Sequence, residues 1–121
     1  MADGERKAPL TPLTVMFADI TASTTLYAQR GDATAFALAS ECLGLVDAEI
    51  RAAGGRVIKH LGDGLLAVFD APLPAVDAAL RIRSTIAAPE RGLLREGVRV
   101  RVGIASGAAV LAEGDVYGDT V

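Results

Sequence analysis

The chain has 121 residues, 12 Lys+Arg against 15 Asp+Glu, one Cys, no Trp and 51% hydrophobic residues. That length encloses one core rather than two, and a net charge of -3 with interspersed signs argues against a nucleic-acid partner, which requires a clustered basic surface. No uncharged stretch is longer than Val102 to Ala112, which contains two Gly and falls short of the ~18 apolar residues that span a bilayer, so no membrane insertion by this segment is expected.

The opening Met1 to Thr11 mixes both charges with Pro9 and has no apolar secretory core, and is expected to be a short flexible tail. With a single Cys that has no internal partner, the expected compartment is a reducing cytoplasm. Leu13 to Ile20 is a β-prone apolar run suited to a strand buried on both faces, closing at Asp19. The small, hydroxylated Thr21-Ala22-Ser23-Thr24-Thr25 leads into a helical turn at Leu26-Tyr27, and Gly31-Asp32 punctuates the chain. Phe36, Ala39, Leu43, Val46 and Ile50 then recur at steps of three and four, predicting a helix from about Ala33 to Ala53 that Gly54-Gly55 ends.

Arg56 to Leu61 and Leu65 to Asp70 are β-type runs around Gly62-Asp63-Gly64, whose glycines permit a tight turn, so the segment is expected to be a hairpin. Pro72 and Pro74 suit a helix start, and Ala75, Ala79, Ile82 and Ile86 form its apolar stripe, interrupted at Pro89. Val98, Val100, Val102 and Ile104 alternate with Arg99, Arg101 and Gly103 as a half-buried strand, and Ala109 to Leu111 begins another. Strand, helix, hairpin, helix, strand is the order of an α+β, ferredoxin-like βαββαβ antiparallel sheet with helices on one face. In that topology the third strand lies between the first and second, so the end of the first strand, at Asp19, meets the turn carrying Asp63.

Two carboxylates at one sheet end repel each other unless a positive group lies between them, and a hard divalent cation is the usual answer. Each also has an ordinary structural role: Asp19 as a cap for the following helix, Asp63 as a turn residue. The hydroxyl-rich segment after Asp19 opens a helix whose unpaired N–H groups suit an anion such as a polyphosphate, or it is a plain Ser/Thr cap. No P-loop lysine motif occurs. Lys59 is one of only two lysines, the other being Lys7, and stands in the hairpin near Asp63; strand alternation alone would also put a lysine on an exposed face. His60, the only histidine, reads as a hairpin surface residue, and Cys42 as a small hydrophobe in the first helix.

Four ordered blocks carry a resemblance. Phe17-Ala18-Asp19-Ile20, Gly55 to Gly64, Val100 to Ile104, and Gly114-Asp115-Val116-Tyr117-Gly118-Asp119-Thr120-Val121 together resemble the class III adenylate/guanylate cyclase catalytic domain, from about residue 12 or 13 to the last. The resemblance implies two metal ions, Mg²⁺ or Mn²⁺, held by Asp19, Asp63 and the backbone carbonyl of Ile20. It also implies a triphosphate held by the backbone of Thr21, Ala22, Ser23 and Thr24. The family usually has Gly where Ala22 stands.

Base choice in the family falls on the positions of Lys59 and Asp115, although Asp115 after Gly114 also suits an ordinary turn. A Lys donor and an Asp acceptor complement adenine's N1 and N6 amine and mispair with guanine, so ATP is the expected substrate. The implied reaction is attack of the ribose 3′-hydroxyl on the α-phosphorus, giving cyclic AMP and pyrophosphate for cyclic nucleotide signalling. The implied assembly is a homodimer, or a pseudo-heterodimer with another cyclase chain, with metals from one subunit facing base-reading residues of the other.

The family's next residues supply an Asn and, a turn later, an Arg. With the chain stopping at Val121, feeble or no turnover is expected, and a catalytically inactive nucleotide-binding or regulatory domain is the alternative. Diguanylate cyclases share the topology, but their Gly-Gly-Asp/Glu-Glu-Phe hairpin does not match Leu61-Gly62-Asp63-Gly64-Leu65. A purely structural ferredoxin-like module is the remaining class.

Overall fold

The structure, a computed structural model, describes residues 11–22, 24–112 and 115–117. The tail expected over Met1 to Thr11 lies outside the described residues except for Thr11, which opens the first strand. In chain order the elements are β1 (Thr11–Ala22), α1 (Thr24–Ala52), β2 (Arg56–Leu61), β3 (Gly64–Phe69), α2 (Pro72–Ala87), a 3-10 turn (Pro89–Arg91), β4 (Val98–Ala112) and β5 (Asp115–Tyr117).

β1 outruns its apolar core at both ends because β4 pairs along its whole length, from Thr11 opposite Ala109 to Ala22 opposite Val98. The same pairing corrects the expectation of a separate strand at Ala109 to Leu111. That segment continues β4, which pairs on to β5 through Val110 to Ala112.

The first helix also starts earlier than its apolar periodicity suggests. α1 begins at Thr24 and is kinked at Gly31, whose φ of 82° and ψ of 165° are non-helical values that glycine adopts without a Cβ penalty. Beyond the kink its inner face is Ala35, Ala39, Cys42, Val46 and Ile50, all buried. Phe36, expected on that face, is 66% exposed. The buried line steps back by four from Ala39 to Ala35, and a side chain one residue further lies about 100° around the helix. α2 begins on Pro72 and buries Ala75, Ala78, Ile82 and Ile86, while Ala79 is only partly buried. Glu49 of α1 accepts a hydrogen bond from the Thr85 hydroxyl of α2 at 2.8 Å, tying the two helices together.

The sheet order is β2-β3-β1-β4-β5. β1 runs antiparallel to both β3 and β4, and β2 antiparallel to β3, as expected of the βαββαβ arrangement. Alternation along β1 divides two clusters. Met16, Ala18 and Ile20 join Leu65, Ala67, Phe69 and Val98 under the helices. Leu13 and Val15 join Leu66, Val68 and the partly buried Ile58 on the other face. β3 is buried along its full length because it serves both clusters.

Cα atoms of β5 come within 8 Å of β2, although the two strands stand at opposite ends of the strand order. The helices occupy one face, so the sheet curls over the other, where the second cluster is buried. Cys42 is fully buried, and burial, helped by the neighbouring Glu41, pushes its thiol up to about 11, so it remains a neutral, packed thiol.

Candidate active site

The site starts from a two-residue turn. Gly62 has φ of 60°, the left-handed conformation that a tight hairpin turn needs and that glycine supplies. The turn is tied to the end of β1 by the Ile20 N–H, which donates to the Asp63 carbonyl at 2.9 Å. Asp19 stands opposite Gly64. The turn therefore delivers Asp63 next to Asp19, from positions 44 residues apart in the chain.

Gly64 serves this junction through its lack of a side chain rather than through its backbone angles. A Cβ there would stand 2.6 Å from the Ala18 carbonyl oxygen and 3.3 Å from Asp19 Oδ1. Gly64→Ala is therefore expected to destabilise the chain by about 1–3 kcal/mol, as overpacking does, and to displace the Asp19 carboxylate, which would weaken Mn²⁺ binding if Asp19 is a ligand. Urea unfolding and Mn²⁺ titration of the variant check the two effects separately.

Asp19 also faces β4. It stands opposite Arg101, whose Nη2 donates to Asp19 Oδ2 at 3.2 Å. The carboxylate is about half exposed and the guanidinium more so, so the pair adds at most about 1 kcal/mol to stability. Among the described residues no group of three or more His, Cys, Asp or Glu gathers to hold a metal. A cation between Asp19 and Asp63 would complete its shell with backbone carbonyl, water or phosphate oxygens. That all-oxygen set, with few protein carboxylates, fits Mg²⁺ or Mn²⁺ and does not fit zinc, which takes His and Cys.

The other expected residues fall as follows. In an extended residue N–H and C=O point to the same side, so the Ile20 carbonyl lies on the edge of β1 that faces the hairpin turn. Thr21 and Ala22 are the last two residues of β1, paired to Arg99 and Val98 but lying beyond the last pair with β3. Thr24 is the first residue of α1, and Ser23 lies outside the described residues. Asp115 opens β5 opposite Ala112, on the strand that approaches β2. The last part of the fourth block, residues 118–121, lies outside the described residues.

Lys59 stands opposite Leu66 after a register shift between Val57 and Lys59. Leu66 belongs to the cluster away from the helices, as do Leu13 and Val15 in alternation with Asp19. Lys59 and Asp19 therefore share one face of the sheet, two strands apart, a lateral separation on the order of 10 Å. His60 takes the opposite face: its Nε2 lies 3.7 Å from Asp47 Oδ2 on α1, and Asp47 also accepts from Arg51.

The pairing of Arg101 with Asp19 was missed by sequence reasoning. Alternation marks Arg101 as pointing away from the helices, but its partner is 82 residues away and emerges only once β1 and β4 are aligned.

A family model described as the adenylate and guanylate cyclase catalytic domain matches residues 6–121. A Rhizobium meliloti (strain 1021) protein provisionally named adenylate cyclase 3 is 35% identical over 68 residues, a match spanning 55% of this chain and 12% of that protein. The solved structure of an adenylate/guanylate cyclase/hydrolase from Silicibacter pomeroyi is 30% identical with a TM-score of 0.76, covering 94% of this chain and 67% of that one. The guanylate cyclase domain of RhGC from Catenaria anguillulae, solved in complex with GTP, is 26% identical with a TM-score of 0.68, covering 92% of this chain and 68% of that one.

Proposed function

The chain belongs to the adenylate and guanylate cyclase catalytic domain family, and on that premise we propose that it is part of an adenylate cyclase that converts ATP to 3′,5′-cyclic AMP and pyrophosphate. The observation that carries this reading is the junction of β1 with the β2–β3 turn, where Asp19 and Asp63 meet.

Asp19, Asp63 and the Ile20 carbonyl would hold two Mg²⁺ or Mn²⁺ ions. Those ions, when bound, supply neutralising charge at the phosphates and lower the pKa of the ribose 3′-hydroxyl. The backbone of Thr21, Ala22, Ser23 and Thr24 would hold the triphosphate where β1 passes into α1, because helix N-termini favour anions. Arg101 would exchange its carboxylate partner for phosphate oxygens, to which a guanidinium binds well through paired donors. The reaction is in-line: the 3′-oxygen forms its bond to the α-phosphorus as the bond to pyrophosphate breaks, and the hydroxyl proton leaves to solvent.

Base choice falls to Lys59 and Asp115. An ammonium donor meets adenine N1 and a carboxylate acceptor meets the N6 amine, whereas guanine presents O6 and N1–H in the reverse sense. The approach of β5 to β2 supports the joint role of these two residues. The active assembly is a homodimer, or a pseudo-heterodimer with another cyclase chain, in which the carboxylates of one subunit face the base-reading residues of the other.

Lys59→Ala tests the base assignment. It should weaken Mn²⁺-supported ATP binding by about tenfold, the scale of one lost hydrogen bond to a charged group, with a much smaller effect on GTP. An equal loss for both nucleotides would remove Lys59 from base selection.

A further inference from the structure

β2 carries one residue more than its partner strand. Val57 pairs with Ala67 and Lys59 with Leu66, leaving Ile58 as the extra residue of a β-bulge. Counted by plain alternation from Val57, which packs against the core under the helices, Lys59 would share that side. The bulge reverses the count: Lys59 comes to the face of Asp19, and His60 turns toward Asp47 of α1.

Two frames meet at Ile58. Downstream, the pairing of Leu61 with Gly64 is set by the turn that carries Asp63, itself tied to β1 at Ile20. Upstream, the pairing is set by Val57 on the core. A bulge bends its strand and raises the local twist, and so decides the direction in which the next side chain leaves the strand.

We propose that Ile58 is a positioning residue for base selection: as the extra residue of the β2 bulge it aims the Lys59 ammonium at the nucleotide base and so sets the preference for adenine over guanine. The inference rests on the reading of Lys59 given above. Deleting Ile58 leaves Val57 opposite Ala67 and Lys59 opposite Leu66, so the strand straightens without moving Lys59 to the other face.

The test is the ratio of ATP to GTP affinity in the presence of Mn²⁺, measured on the unmodified chain, the Ile58 deletion, Val57→Ala and Lys59→Ala, with Mn²⁺ affinity as the second readout. The deletion should lower the ratio by about tenfold, the scale of one misdirected hydrogen bond to a charged group, while Mn²⁺ affinity is kept. Val57→Ala, which destabilises the same strand and keeps the bulge, should leave the ratio unchanged. A deletion that keeps the ratio, or a Val57→Ala that shifts it as far, overturns the proposal.

If the deletion does not fold, the transposed variant K59H/H60K carries the test by moving the ammonium to the helix side. The same loss of ratio is expected, and a retained ratio overturns the proposal. Lys59→Ala separates the two layers. No change there sinks the reading of Lys59 and this inference with it, whereas a change there with none in the deletion sinks only this inference.

Discussion

Asp19→Asn is expected to lower Mn²⁺-supported ATP affinity by at least about a hundredfold, since even groups one shell removed from a metal change its affinity by about 10–100-fold and in the proposed site Asp19 would supply one of the two carboxylates. The fold should survive. The carboxylate is half exposed, and its pair with Arg101 contributes at most about 1 kcal/mol. Circular dichroism and urea unfolding of the variant should therefore match the unmodified chain while Mn²⁺ titration and nucleotide binding fail. Asp63→Asn should behave in the same way from the neighbouring strand turn. Binding that persists in both variants would leave the meeting of β1 with the hairpin as a structural junction alone.

Phe69→Ala is expected to destabilise the chain by about 3–5 kcal/mol, the range for removing a fully buried aromatic side chain. Phe69 is 1% exposed and closes β3 beneath the helices. Against a typical domain stability of about 5–15 kcal/mol, that loss would bring the chain near unfolding. The packing around the ring also makes the effect specific. A Cβ at Gly55 would stand 2.6 Å from Phe69 Cε2 and Cζ, and 2.7 Å from Ile50 Cγ2. Gly55→Ala alone should therefore cost about 1–3 kcal/mol through overpacking.

In the Phe69→Ala background the new methyl enters vacated space, and its cost should fall by more than about 0.5 kcal/mol, a coupling that separates contacting from independent sites. Urea unfolding of the four proteins measures it. Strictly additive losses would contradict the packing of Phe69 against Gly55.

The topology was legible in the sequence because each element announces itself locally: the apolar run ending at Asp19, the three-and-four spacing up to Ile50, the Gly62-Asp63 turn and the alternation from Val98 to Ile104. Once those elements are put in order, the meeting of Asp19 with Asp63 follows from connectivity alone. What escaped depends on pairings between distant segments. The bulge at Ile58 is invisible to alternation, which assumes an unbroken period of two, and it decides the face on which Lys59 stands. The length of β1 and β4 comes from their mutual pairing, so neither strand's end is marked by its own residues. Phe36 misled because it stands one residue away from the line that buries Ala35, and a spacing of three to Ala39 looks as helical as a spacing of four.

The family assignment rests on a family-model match over residues 6–121, whereas the proposed choice of nucleotide rests on two side chains on different strands, Lys59 on β2 and Asp115 on β5. Related domains include both adenylyl and guanylyl cyclases. The most direct measurement is equilibrium binding of ATP and GTP to the unmodified chain, with and without Mn²⁺. Binding that requires the metal and favours ATP is the result predicted by the pairing of Asp19 with Asp63 and by the base pattern of Lys59 and Asp115. Binding that favours GTP, or that is indifferent to Mn²⁺, would contradict it.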